Sequence, residues 1–119
     1  MINFLERDKP RAEALYDTVR NLQGDIGIIA EAADIFPYEA ADIKDYVFSN
    51  SEHWPFAPQA EAWLWIYDGD GTPEDFVFIE HERVELSYRQ DGMDYASAHE
   101  LANEDANWEE LIYKKYGGK

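Results

Sequence analysis

The sequence predicts an all-α fold in a single domain over residues 1–119, with an antiparallel helical hairpin at about 73–103, and three observations carry that reading. Apolar residues recur at three- and four-residue spacing along most of the chain, the period of one helix face. Helix starts are written out as capping residues followed by proline, most fully at Thr72-Pro73-Glu74-Asp75. No segment sustains period-two alternation or carries a hairpin turn; Phe76-Val77-Phe78-Ile79 is β-branched and aromatic, but it follows the strongest cap in the chain.

Asp8-Lys9-Pro10 places a cap ahead of a first-turn proline, and Ala14, Leu15, Val19 and Leu22 follow at helical spacing until Gly24, giving a first helix over 10–23. Asp25 can cap a short second helix carrying Ile26, Ile28, Ile29 and Ala30, which Gly27 weakens. Pro37 opens a third. On it Tyr38, Ala41, Ile43, Tyr46 and Val47 form the apolar side, Glu39, Asp42 and Lys44 point outward, and Phe48 ends the run. Residues 49–58, rich in turn formers and prolines, read as an irregular connection. Helical spacing resumes from Gln59 through Ala62, Trp63, Ile66 and Tyr67, until Asp68-Gly69-Asp70-Gly71 stops it. The cap at Thr72, the proline after it and two acids at the positive end of the helix dipole start a helix that runs from Pro73 to about Gln90. Asp91-Gly92 breaks it, Asp94 caps a further helix over 95–103, and residues 108–116 form a final turn or two.

A chain of 119 residues with 45% hydrophobic and 15% aromatic residues can bury one core and is too short for two. The absence of cysteine excludes disulfides and thiolate metal sites, so any metal must be held by imidazole and carboxylate. No basic segment followed by an apolar leader opens the chain, and no apolar run approaches the ~18 residues of a membrane span, so a cytoplasmic location is expected. With 26 acidic against 10 basic residues the net charge is −16, which repels phosphate backbones and anionic lipid. A basic protein partner is expected instead, especially one whose groove holds nucleic acid. The candidate contact acids are Asp42, Asp45, Asp68, Asp70, Glu74 and Asp75, which flank turns or outer faces.

The three histidines carry the candidate chemistry. His81 and Glu85, in the run His81-Glu82-Arg83-Val84-Glu85, stand one helical turn apart on the same side. Val77, His81, Val84 and Tyr88 share a face with Glu85 at its edge, and Tyr95, Ala98, His99 and Ala102 form one stripe of the next helix. If the two helices fold back about 91–94, Glu85 lies about eight residues before the turn centre and His99 about seven after it, so at ~1.5 Å per residue they come out almost level. His81 lies about 6 Å further along, one turn away. His53, from the irregular segment, can supply a fourth ligand. Imidazole with carboxylate suits zinc and tolerates nickel, cobalt or iron. Coordination by His53, His81, Glu85 and His99 makes a closed structural site; three protein ligands and a water leave catalysis open, with Glu82 or Glu100 as base. The run departs by one residue from the His-Glu-x-x-His of zinc proteases, Glu85 standing where the second histidine belongs. Asp68-Gly69-Asp70-Gly71-Thr72 opens like a calcium loop, but Pro73 and Phe76 fall where later acids are needed, so it reads as a turn.

The spacing Asp25-Ile26-x-x-Ile29-Ala30, Ile43-Lys44-x-x-Val47-Phe48, His53, His81-Glu82-x-x-Glu85, Gly92 and Tyr95-x-x-Ala98-His99-x-x-Ala102 resembles a small helical domain at the carboxyl ends of phage minor-capsid proteins and Rhs-type polymorphic toxins. The resemblance spans residues 25–108, about 70% of the chain. That family has a histidine where Tyr46 stands and a tyrosine where Ala106 stands. A free-standing acidic protein of phage type is similar in kind to anti-CRISPR proteins, which inhibit Cas nucleases. The likeness implies a zinc-stabilised inhibitor whose carboxylates compete with nucleic acid for a basic nuclease such as Cas9. Two other readings stand beside it: a metal-dependent hydrolase derived from a toxin, with Glu82 as base, and an immunity protein that neutralises a basic toxin. A binding role is expected ahead of an enzymatic one.

Overall fold

Pro37 and Pro73 each occupy the first turn of a helix, where a missing backbone N–H breaks no hydrogen bond, and both helices begin there as the sequence predicts. The computed structural model describes residues 9–49 and 57–112. In chain order these form α1 (Lys9–Asn21), α2 (Asp25–Ala33), α3 (Pro37–Lys44), a π-helical turn (Asp45–Ser49), α4 (Ala57–Tyr67), α5 (Pro73–Gln90), α6 (Tyr95–Asp105) and α7 (Trp108–Ile112). The fold is all-α, with no strand among the described residues. No helix among them is long and apolar enough to cross a membrane. His53 lies outside the described residues, as do residues 113–119, onto which the expected last helix extends.

Local chemistry explains where the helices stop. At the end of α5 the Gly92 N–H donates to the Arg89 carbonyl and the Met93 N–H to the Tyr88 carbonyl, the paired closure of a Schellman motif. It requires a left-handed residue, and Gly92 supplies one at φ 98°. The same closure ends α4, with Gly69 at φ 85°. In α5 the Asp75 carboxylate accepts from the Thr72 N–H at 2.8 Å and from its hydroxyl at 3.0 Å, fixing the start of the helix. At the head of α6 Asp94 accepts from the Ser97 N–H at 2.9 Å.

The core forms around α4, whose Trp63 is fully buried against Phe48 of the π turn, with Tyr16 of α1 meeting the other side of Phe48. Phe78 of α5 packs on Trp108 of α7. Polar groups also lie inside, Asp25 among them. Gly24, at φ 80°, precedes α2 where Asp25 is expected as cap, and Asp25 becomes its first residue. There its buried carboxylate meets Lys44 Nζ at 2.9 Å and accepts from Trp63 Nε1 at 2.9 Å. Lys44 therefore points inward, not outward.

Two helix faces differ from expectation. On α3 the buried side is Ala40 and Ile43, continuing to Val47, while Tyr38 and Ala41 face out. On α5 the buried stripe is Asp75, Phe78, Ile79, Glu82 and Glu85, with His81 at its margin; Val77, Val84 and Tyr88 are only half-buried. Glu85 is thus central and not peripheral. The π turn has no counterpart in the sequence reading, which continues α3 regularly to Phe48. A π turn fits one more residue per turn than an α-helix, and here it turns Tyr46, Val47 and Phe48 all inward in succession.

Candidate metal centre

Helices α5 and α6 fold back on each other about 91–94, forming the expected antiparallel hairpin. The register is set by two contacts. Glu85 meets His99, and one turn earlier on α5 His81 meets the Ala106 carbonyl beyond the end of α6, so the pairs step apart on both sides of the turn. The near-level placement of Glu85 and His99 follows from equal helical rise on the two arms.

His81, Glu85 and His99 converge, each offering a ligand atom within 4.8 Å of the others. His99 Nδ1 donates to Glu85 Oε1 at 2.7 Å. His81 Nε2 lies 3.2 Å from the same oxygen and forms no hydrogen bond there. The two rings meet edge to face with centroids 5.0 Å apart. The other carboxylate oxygen, Glu85 Oε2, accepts from the Tyr46 hydroxyl at 2.7 Å. Burial first, and then the hydrogen bond to Glu85 and the charges of Glu85 and Glu82, hold the Tyr46 phenol well above its ordinary pKa, so it stays a donor.

The orientation of His81 is fixed from behind. Its Nδ1 lies 2.9 Å from the Ala106 carbonyl oxygen, which can only accept, so Nδ1 carries the proton and Nε2 is the ring's lone-pair atom in the neutral form. A backbone carbonyl holding the far nitrogen of a histidine is the usual outer support of an imidazole ligand. The side chains of His81 and Glu85 are each 1% exposed, whereas that of His99 is 24% exposed and stacks on Tyr95 at 5.4 Å. The cluster is closed on the α5 side and reachable past His99.

Glu82 stands beside it. Its side chain is 3% exposed, its Oε2 is 3.9 Å from His81 Nε2, and it accepts from Gln59 of α4 at 3.5 Å. Gln59 in turn accepts from the Tyr16 hydroxyl, so polar contacts run from α1 through α4 to the cluster.

Two nitrogens and a carboxylate are a donor set for a transition metal, zinc among them. Bonds of ~2.0–2.1 Å around a tetrahedral ion put donors about 3.4 Å apart, close to the 3.2 Å between His81 Nε2 and Glu85 Oε1. The 2.7 Å from His99 to Glu85 is hydrogen-bond length and must open a little to admit an ion. The residues fit the group. The Nε2 of His81, deeply buried, without a hydrogen-bond partner and facing a carboxylate, is an atom such an ion could take as a ligand.

Three of the four expected ligands therefore come together, and the fourth, His53, falls outside the described residues. Sequence reasoning places Tyr46 on the apolar side of its helix but does not find its contact with Glu85, or the Ala106 carbonyl, a backbone atom with no residue-type signal. Of the candidate contact acids, Asp42, Asp45, Asp68 and Asp70 are exposed and Glu74 is half-buried. Asp75 is not a surface acid: it is 4% exposed, and its carboxylate is engaged at the start of α5. Set against protein families, curated proteins and solved structures, the chain matches none of them.

Proposed function

We propose that this protein is a metal-stabilised helical binding protein, with zinc held by His81, Glu85 and His99, whose acidic surface docks on a basic, nucleic-acid-holding partner. The carrying observation is His81 Nε2: a buried imidazole atom without a hydrogen-bond partner, 3.2 Å from Glu85 Oε1, on a ring locked in place by the Ala106 carbonyl. Between a ring lone pair and a carboxylate oxygen a cation removes a repulsion and satisfies both atoms. Because the ligands come from both arms of the hairpin, an ion there clamps α5 to α6. The positions at which the chain departs from the resembled phage and toxin domain, Tyr46 and Ala106, both touch this cluster.

The partner half of the proposal rests on charge. A net charge of −16 favours a basic protein and speeds its encounter at low salt. A Cas nuclease such as Cas9 has the required basic groove, and inhibition of the anti-CRISPR kind is what such docking produces. An immunity role toward a basic toxin uses the same physics with a different partner.

Elemental analysis of the purified chain beside His81→Ala and His99→Ala tests the first half. One equivalent of metal in the parent, lost in both variants, is the expected result; a metal-free parent whose melting is unchanged by added zinc overturns it. The second half is tested by titrating the protein into a Cas9 cleavage reaction at several salt concentrations, where salt-sensitive inhibition is expected. A second reading is favoured by the position of Glu82, 3.9 Å from His81 Nε2: a metal-dependent hydrolase with Glu82 as base. Glu82→Gln separates the two, since a hydrolase loses turnover while a structural site keeps metal and inhibition.

A further inference from the structure

The most exposed aromatic side chains among the described residues are Phe36 and Tyr38, 66% and 65% exposed, and they stack on each other with centroids 5.8 Å apart at 14°. The sequence pattern assigns Tyr38 to the apolar side of its helix, yet it sits on the opposite side from Ala40 and Ile43.

The turn before the pair is built with some strain. Helix α2 closes as α4 and α5 do, with the Ile35 N–H on the Ala30 carbonyl, but its left-handed position is Asp34 at φ 58° and not glycine. That closure leads the chain out to Phe36. The Phe36 N–H then donates to the Glu39 carboxylate at 3.0 Å, fixing the backbone between the two rings. The aromatic pair is therefore presented by a defined corner.

Clefts flank the pair on both sides. One, of about 170 Å³, is lined by Asp34, Ile35, Phe36 and Glu39. The other, of about 180 Å³, runs from Tyr38 and Asp42 past Arg83 to Gln90. Each falls below the ~300 Å³ of a small-molecule site and suits a single side chain. Both combine an aromatic ring with carboxylates. In the second cleft the chain's own Arg83 sits 3.9 Å from Glu39, so a guanidinium already shares that environment.

We infer that the Phe36–Tyr38 corner is the docking surface for an arginine of a basic protein partner, taken chiefly by the first cleft. A guanidinium stacks on an aromatic face and pairs with carboxylates at once, which a lysine ammonium does less well. Charge decides the occupant. With Asp34, Glu39 and Asp42 around the rings and a net charge of −16 behind them, a cationic segment is drawn in, whereas an anionic or second acidic surface is repelled. The inference rests on the partner half of the proposed function and names the place where that partner is anchored.

The test is calorimetric titration with a short peptide alternating arginine and glycine, and with its lysine twin, in moderate salt. The parent is expected to prefer the arginine peptide about tenfold, and F36A/Y38A to lose about tenfold on it. D68N/D70N, which removes charge at a distant exposed turn, is expected to lose less than threefold. Both substituted rings point to solvent, so F36A/Y38A should keep the parent's circular dichroism and metal content. Equal affinity in F36A/Y38A, or a loss no greater than in D68N/D70N, overturns the inference. Failure here and failure of the proposed function are distinguishable. Undiminished nuclease inhibition by F36A/Y38A sinks the docking surface alone, whereas ring-dependent arginine binding without nuclease inhibition upholds the surface and sinks the nuclease as partner.

Discussion

Tyr46→Phe removes a single oxygen from the centre of the protein and leaves the ring in its slot. What is lost is an O–H donated at 2.7 Å to the Glu85 carboxylate, between two groups that are both buried. Hydrogen bonds to charged groups contribute about 1.5–3 kcal/mol, against about 0.5–1.5 kcal/mol for neutral pairs. A cost of ~2 kcal/mol is therefore expected. Unfolding entropy of ~2.1 cal/mol/K per residue, taken over 119 residues, turns that into a drop in Tm of ~8 °C. The measurement is thermal unfolding by circular dichroism with chelator present, so that metal affinity does not enter. A zinc titration then reads the second effect: a ligand carboxylate that loses its outer hydrogen bond typically loses about 10–100-fold in affinity. Glu85→Gln supplies the control, because against a neutral amide the phenol contributes less, and Tyr46→Phe in that background should cost ~1 kcal/mol or under. A Tyr46→Phe protein that melts within ~2 °C of the parent and binds zinc equally well refutes the reasoning.

Lys44→Ala strips the cation from Asp25, whose side chain is 1% exposed, and a buried pair broken on one side costs about 3–5 kcal/mol; urea unfolding is expected to show the lower end, since Trp63 Nε1 still donates, and a change under ~1 kcal/mol refutes it. At Asp94 the hydrogen bonds from Ser97 hold the carboxyl below its ordinary 3.8, so its contribution to α6 is present above that value and fades as pH falls through and below it. Hydrogen-exchange protection in the first turn of α6 should therefore weaken as acid is added, and Asp94→Ala should show that weakness already at neutral pH; an acid-insensitive parent contradicts this. Replacing His81, Glu85 and His99 together by leucine, with Tyr46→Phe so that its hydroxyl is not stranded, removes a polar cluster from a largely buried place, a change that is often neutral or stabilising by about 1–4 kcal/mol. In chelator this combined variant should melt at or above the parent. In zinc at 100 times its Kd the parent gains ~2.7 kcal/mol and the variant nothing, and a variant that fails to fold in chelator would show the cluster to be needed for folding itself.

The parts of the fold that chain chemistry determines locally are legible in the sequence. Helix α5 begins at a cap, a proline and two acids and ends at Asp91-Gly92, and its bounds are those expected. The meeting of Glu85 with His99 is legible too, because helical rise on two arms of similar length is arithmetic and not packing. Tyr46 is legible as an inward position on the apolar side of the helix that Pro37 opens, but the inward turn of Phe48 is not, since it depends on a π turn for which Asp45–Ser49 carries no residue signal. Nor is Asp25: an acid after a glycine at a helix start reads as a cap, and only the tertiary approach of Lys44 and Trp63 makes it an interior ion. Tyr38 defeats the pattern in the opposite way, as an aromatic residue that a periodicity argument assigns to the core but that stands in solvent.

The misphased face of α5 says most about the site. Periodicity places the buried stripe by apolar residues, and Val77, Val84 and Tyr88 pull it to one side of the helix. The real stripe is displaced from there by a fraction of a turn because Asp75, Glu82 and Glu85 occupy core positions that a folding argument would fill with leucine. Asp75 is explained locally by the hydrogen bonds that start the helix. Glu82 and Glu85 have no such local reason. Burying a carboxylate is costly unless partners compensate it, and the compensation here comes from three other segments: Gln59 of α4, Tyr46 of the π turn and His99 of α6. On the proposed reading, carboxylates that cost stability in a small core, and that recruit partners from across the fold, serve a ligand and not packing. An ion at His81, Glu85 and His99 would turn that cost into a clamp, because its affinity would add to the folded state alone.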